Sequence, residues 1–135
     1  MNIILVSHGD LAKGILSSAQ MIIGKQENIE AFGLYPQSSV DDLEKMLETE
    51  LEKVKETEEI LIMTDLFSGS PFNVVTRLMH RYPKVQHITG MNLPLLLEVV
   101  TKCNLDMDIR DVSKQAISSA KHAIIDVNTY LQEAD

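Results

Sequence analysis

Tryptophan is absent from this 135-residue chain, and its aromatic residues stop at three tyrosines and three phenylalanines. So few rings leave little with which to sandwich an isoalloxazine, which argues against a flavin site. A single cysteine, Cys103, excludes an internal disulfide and has no neighbours at metal-ligand spacing, so no metal and no cofactor is expected. Long apolar runs are missing too. The longest lie around 3–6, 22–23 and 60–63, far short of the roughly 20 residues that cross a bilayer, so no membrane insertion is expected. The N-terminus shows no basic region, apolar stretch and small-residue cleavage site in sequence, and a cytoplasmic location follows as the expectation. Basic residues are scarce and scattered, 12 against 20 acidic ones for a net charge of −8, which argues against nucleic acid as a partner. No repeat, low-complexity tract or Pro/Gly/Ser linker divides the chain, so one domain over 1–135 is expected. At 44% hydrophobic residues it can fill one core.

What is present alternates. Residues 2–6 form an apolar run ending in Ser7-His8-Gly9, which fits a strand buried on both faces and then a loop. Asp10 can cap a helix whose apolar positions Leu11, Ala12, Ile15, Leu16, Ala19, Ile22 and Ile23 recur at helical spacing, with Gly24 as the stop. A second strand at 29–34 precedes a helix capped by Ser39, with Leu43, Met46, Leu47, Leu51 and Val54 inward and a charged outer face. A third strand at 60–64 leads through Asp65-Leu66-Phe67-Ser68-Gly69 into a helix opened by Ser70 at the N-cap and Pro71 at the first turn. A fourth strand at 85–89, the turn Gly90-Met91 and the cap residue Asn92 precede a helix over 93–101. Residues 111–122 read as one more helix. Residues 124–131 alternate in a period of two and suggest an edge strand, although continued helix also fits. The whole predicts an α/β fold, a doubly wound and mostly parallel sheet with helices on both faces.

In such sheets ligands collect beyond the carboxyl ends of the strands. If strands one and three lie side by side, as in the order 2-1-3-4, the loop with His8 faces the loop with Asp65, Gly69 and Ser70. A histidine that attacks phosphorus through one ring nitrogen needs a carboxylate on the other N–H, to fix the tautomer and steady the charge that develops; Asp65 is the candidate. Glycine and a helix start can hold anionic oxygens, which points to Gly69 and the Ser70 hydroxyl. Each residue has a plainer reading: His8 as a polar loop residue, Asp65 as a turn cap, Ser70 as an N-cap. Convergence at one edge separates them from His80, His87 and His122, which read as structural or surface residues, and from Met46, Met63 and Met79, which read as packing.

The motifs Ile-Leu-Val-Ser-His-Gly at 4–9, Thr-Asp-Leu-Phe-Ser-Gly-Ser-Pro-Phe-Asn at 64–73 and Gly-Met-Asn-Leu-Pro-Leu-Leu at 90–96 resemble the mannose-family enzyme IIA of the bacterial phosphoenolpyruvate-dependent sugar phosphotransferase system. The second motif is the most specific. The resemblance implies phosphorylation of His8 on Nε2, pairing of Asp65 with its Nδ1 proton, contact of Ser70 with the phosphoryl group, and a contribution of Asn92 to the site rim. It implies the histidine-containing phosphocarrier protein as donor, enzyme IIB as acceptor, and a homodimer formed by exchange of an antiparallel C-terminal edge strand at 124–131. Leu66, Phe67 and Phe72 could then form an apolar docking ring. Two alternatives stand beside it: the phosphocarrier subunit of a phosphotransferase-dependent dihydroxyacetone kinase, and a non-enzymatic flavodoxin-like regulatory domain. Which sugar is served is not written in the chain.

Overall fold

Strands β1 (Asn2–His8), β2 (Ile29–Leu34), β3 (Ile60–Thr64) and β4 (Val85–Thr89) pair in parallel in the order β2-β1-β3-β4 in the computed structural model, which describes residues 1–134. Helices α1 (Leu11–Ile23), α2 (Val40–Lys53) and α3 (Ser70–Met79) connect them. The order forces the layering. From β1 the chain steps one way to β2, then the other way to β3 and β4, and right-handed crossovers place α1 on one face and α2 with α3 on the other. Both faces of the central strands are therefore covered, and β3 is buried at all five of its residues.

Alternation along the strands divides the core. Ile4, Val6, Ile60 and Ile62 cluster with Leu43, Leu47 and Leu51 of α2 and Val74, Val75 and Leu78 of α3. At the outer side of that layer, Glu44, Glu48 and Glu52 recur every four residues along α2. Glu44 pairs with Arg77 at 3.0 Å, Glu48 with Arg81 at 2.7 Å, and Glu52 accepts from the Tyr82 hydroxyl. Exposed pairs of this kind contribute about 0–1 kcal/mol each, so the apolar layer beneath them holds the helices in place.

Residues 1–93 form one compact unit and those from Pro94 onward a second. In the second, α4 (Leu93–Cys103) buries Leu95, Leu96 and Val99, and α5 (Ile109–Ala120) buries Val112, Ala116 and Ala120. A short 3-10 turn, Lys121–Ala123, precedes α6 (Val127–Ala134).

Here the structure corrects the sequence reading. Residues 124–131 are not an edge strand: from Val127 they are helical, and Asp126 caps the helix by accepting from the Thr129 amide at 3.4 Å and the Thr129 hydroxyl at 3.0 Å. Val127 and Leu131, four residues apart, fit a helical period as well as an alternating one, Tyr130 fits only the helical one, and a local helix pairs backbone groups that a lone strand leaves open. An exchange of C-terminal strands therefore has no strand here to exchange. Met46 is exposed on α2, and so are Leu11 and Ile22 on α1. The cap residues shift too. Gly69, not Ser70, occupies the N-cap of α3, and Asp10 stands at the N-cap of α1 without capping it. Ser39 does cap α2, accepting from the Asp42 amide at 3.0 Å.

The cap of α1 comes from Ser7, which is fully buried and accepts the Ala12 amide at 2.8 Å while its hydroxyl donates to Gly9 O at 3.3 Å. Losing that acceptor orphans a buried N–H. Ser7→Ala is expected to lower the unfolding free energy by about 1–2 kcal/mol. Urea titration reads this directly, and an unchanged midpoint and slope would show that another group caps the helix.

Candidate functional site

Parallel register places the site. Val6 pairs with Thr64, the last residue of β3, while β1 runs on beside β2 as far as His8, which there meets Asp65, the first residue beyond β3. A single oxygen, Asp65 Oδ2, accepts the His8 backbone N–H at 2.9 Å and lies 2.8 Å from His8 Nδ1. A carboxylate only accepts, so the ring proton resides on Nδ1 and the lone pair of Nε2 points away from Asp65. The two side chains differ in access, His8 being 49% exposed and Asp65 9%. The acid that orients the ring is buried, and the ring itself is open to a second molecule. Asp65 Oδ1 is buried without a hydrogen-bond partner among the described residues.

Gly69 closes the other side of the ring. A Cβ built there would lie 3.0 Å from His8 Cε1 and 3.7 Å from Nε2, so the bare backbone is what lets the α3 start approach the imidazole. The N-cap carries no side-chain hydrogen bond, and Pro71 has no N–H, which leaves the first amides of α3 without side-chain acceptors. Ser70 is half-buried at the first residue of that helix. Ser68, one residue earlier, holds a φ of 64°, and this left-handed conformation of a non-glycine turns the loop back so that the Gly69 amide reaches Leu66 O at 3.1 Å.

On the same loop Leu66 and Phe67 are 61% and 71% exposed. Phe72 is half-buried, with its ring centroid 5.0 Å from that of Phe67 and 5.1 Å from the His87 ring. Asn92 donates to Gly90 O at 3.0 Å, bracing the turn whose Met91 amide donates to Thr64 O at 3.0 Å. The structure thus brings His8, Asp65 and Gly69 together, puts Ser70 beside them in the chain, and places Asn92 in a turn tied to the end of β3.

Two clusters were missed in the sequence. Below Asp65, His87 Nε2 lies 2.8 Å from Thr64 Oγ1, which is 3.0 Å from Thr89 Oγ1. His87 is part-buried, and burial lowers its pKa to about 4. Beside His8, the Tyr35 hydroxyl donates to Asp10 Oδ1 at 2.5 Å, and the Lys13 ammonium stands 5.2 Å from the Tyr35 ring centroid. A tyrosine directly after β2, at the same edge as His8, was the available signal. Among the described residues no group of three or more His, Cys, Asp or Glu side chains could hold a metal, and no helix is long and apolar enough to cross a membrane.

Fold and site define the class: an open, parallel α/β domain with an accessible, carboxylate-oriented histidine where the strand order reverses. A family model, EIIA-man, described as the phosphotransferase system (PTS) fructose IIA component, matches residues 2–117. The PTS sorbose-specific EIIA component of Lacticaseibacillus casei is 36% identical over 104 residues, covering 77% of this chain and 75% of that protein. The PTS mannose-specific EIIAB component of Escherichia coli (strain K12) is 26% identical over 122 residues, or 90% of this chain. This chain spans 38% of that longer protein. Among solved structures, the phosphotransferase system component EIIA from Streptococcus agalactiae superposes with a TM-score of 0.86 at 33% identity, covering 95% of this chain and 98% of that one. The chain belongs to the EIIA-man family of phosphotransferase system components.

Two outcomes follow from the geometry. Gly69→Ala is expected to push the His8 ring off Asp65, because its Cβ meets Cε1 and, at 3.3 Å, Leu66 O. The ring nitrogen resonances of His8 in 15N NMR should move while the urea midpoint changes little; unmoved resonances would mean the loop absorbs the methyl. For His87, an unfolded histidine titrates near 6.5 and the folded one near 4. Between those values the unfolded chain holds the proton and the folded chain does not, so stability falls as pH drops through this window and no further below it. The stability difference between pH 7 and pH 5 should shrink in His87→Gln, and an identical difference would assign the slope to other groups.

Proposed function

We propose that the chain is a phosphocarrier: His8 accepts a phosphoryl group from the histidine-containing phosphocarrier protein and passes it to enzyme IIB, serving sugar uptake. The observation that carries this reading is the 2.8 Å contact of His8 Nδ1 with buried Asp65, which leaves Nε2 as the exposed nucleophile beside the start of α3. The relatives' names, sorbose-, mannose- and fructose-specific, support the sugar-transport setting without choosing among sugars.

In the proposed step the donor's P–N bond breaks as the His8 Nε2–P bond forms, and the donor ring leaves with the electron pair. The His8 proton stays on Nδ1, where Asp65 Oδ2 balances the positive charge the ring acquires. The phosphoryl oxygens take the amides at the α3 start, with the Ser70 hydroxyl as a further donor. Leu66, Phe67 and the part-buried Phe72 supply an apolar rim for both protein partners, which dock in turn over one nucleophile. Transfer back out to enzyme IIB runs the same step in reverse.

Incubation with phosphoenolpyruvate, enzyme I and the phosphocarrier protein should add one acid-labile phosphate, and His8→Ala should abolish it. Full labelling of the His8→Ala protein would sink the assignment, and a wild-type chain that takes up no phosphate would favour the regulatory alternative. Asp65→Asn should retain the fold and slow transfer by roughly 10- to 100-fold, the usual cost of losing the partner that orients a reacting imidazole. An unchanged rate would reduce Asp65 to a turn residue.

A further inference from the structure

Asp10 stands where an N-cap carboxylate belongs, yet its side chain does not cap α1; Ser7 has taken that amide. The Asp10 carboxylate is instead gripped by Tyr35, whose hydroxyl donates to Oδ1 at 2.5 Å. The grip is built into the sheet. β2 lies beside β1, with His8 opposite Leu34, and the Gly9 amide donates to Leu34 O at 2.7 Å, so the residue after β2 reaches the turn after β1. Gly33 makes room for it. A Cβ at residue 33 would sit 2.3 Å from Gly9 O and 2.9 Å from Tyr35 Cζ and Oη, so any side chain there would displace both the His8–Asp10 turn and the tyrosine ring. Lys13 completes the cluster, its ammonium over the Tyr35 ring. Tyr35, and after it Asp10, raise the Lys13 pKa above its usual value.

A carboxylate two residues from a histidine that must carry a phosphoryl group works against that load, since like charges repel and the chain already bears −8. Resting on the reading of His8 as acceptor, we propose that Tyr35 is a positioning residue for phosphoryl transfer: its hydroxyl holds the Asp10 carboxylate aside, keeping that negative charge off phosphorylated His8. Tyr35 touches neither donor nor phosphate in this role; it acts through Asp10.

Tyr35→Phe tests this, because the ring that packs on Gly33 and under Lys13 remains and only the hydroxyl is lost. The full chain is equilibrated with a fixed ratio of phosphorylated to free phosphocarrier protein, and the fraction phosphorylated on His8 is measured. Tyr35→Phe should lower the phosphorylation equilibrium constant about twofold, the factor that a couple of ångströms of approach by an existing unit charge towards a dianion gives in a water-like dielectric. The donor concentration at half-maximal rate should stay the same. Adding Asp10→Asn to Tyr35→Phe should bring the constant back to the wild-type value or above it, since the released side chain then carries no charge. A Tyr35→Phe constant equal to wild type overturns the proposal. So does a double variant as impaired as Tyr35→Phe alone, which would make the hydroxyl a structural brace. His8→Ala run in parallel separates the two levels: phosphate retained in His8→Ala refutes the carrier reading itself, whatever Tyr35 does.

Discussion

The contact between His8 and Asp65 Oδ2 is a bond to two donors at once, the ring at Nδ1 and the backbone N–H of the same residue. One oxygen therefore fixes both where the histidine enters the loop and how its ring is turned. That double hold depends on register: had β1 and β3 paired one residue differently, every side chain on β1 would have changed face and His8 would have left the gap. The core alternation that seals Ile4 and Val6 against α2 and α3 is thus the same constraint that presents His8 to solvent. Packing and chemistry share one register.

Much of the site is made of main chain. Gly69 leaves room for the His8 ring, and Gly33 leaves room for the Tyr35 ring and the Gly9 carbonyl. In both places the strand ends and the first turn of a helix approach a ring more closely than a Cβ permits, so placement comes from the sheet rather than from long, mobile side chains. At the rim, Leu66 and Phe67 stand exposed on a loop held in shape by the left-handed Ser68.

The four strands and their parallel sheet were legible in the sequence because they rest on patterns that few structures satisfy, continuous apolar runs for strands buried on both faces alternating with helical stripes, whereas the order 2-1-3-4, and with it the facing of His8 and Asp65, entered only as a condition that the structure meets. The misreadings lie where one pattern serves two structures. Residues 124–131 fit both periods, and the Asp126 cap, a local hydrogen bond, decides for helix. Met46 fits the α2 stripe by position but lies at its margin, exposed. Caps were read as the nearest polar residue, whereas Ser7, inside the strand, reaches forward to Ala12 and releases Asp10 for Tyr35. Such a substitution of one hydrogen bond for another depends on the turn at Gly9, with φ of 54°, and three-dimensional turns of that kind leave no spacing signature.

The contacts that fix His8 come from a carboxylate, a bare glycine and a helix start. On the proposed reading the site handles only a phosphoryl group, and three phosphoryl oxygens look the same whichever sugar finally receives them. Relatives named for sorbose, mannose and fructose can therefore resemble this chain at 26–36% identity without implying a common sugar. On that same reading, discrimination acts on proteins, through the exposed rim of Leu66 and Phe67. The net charge of −8 favours partners that present basic residues to that rim, and it makes any anionic group near His8 costly unless it is held. Asp65 is held by His8 and Asp10 by Tyr35, so the carboxylates nearest His8 along the chain and across the sheet are both engaged, and hydrogen bonds fix where those charges stand.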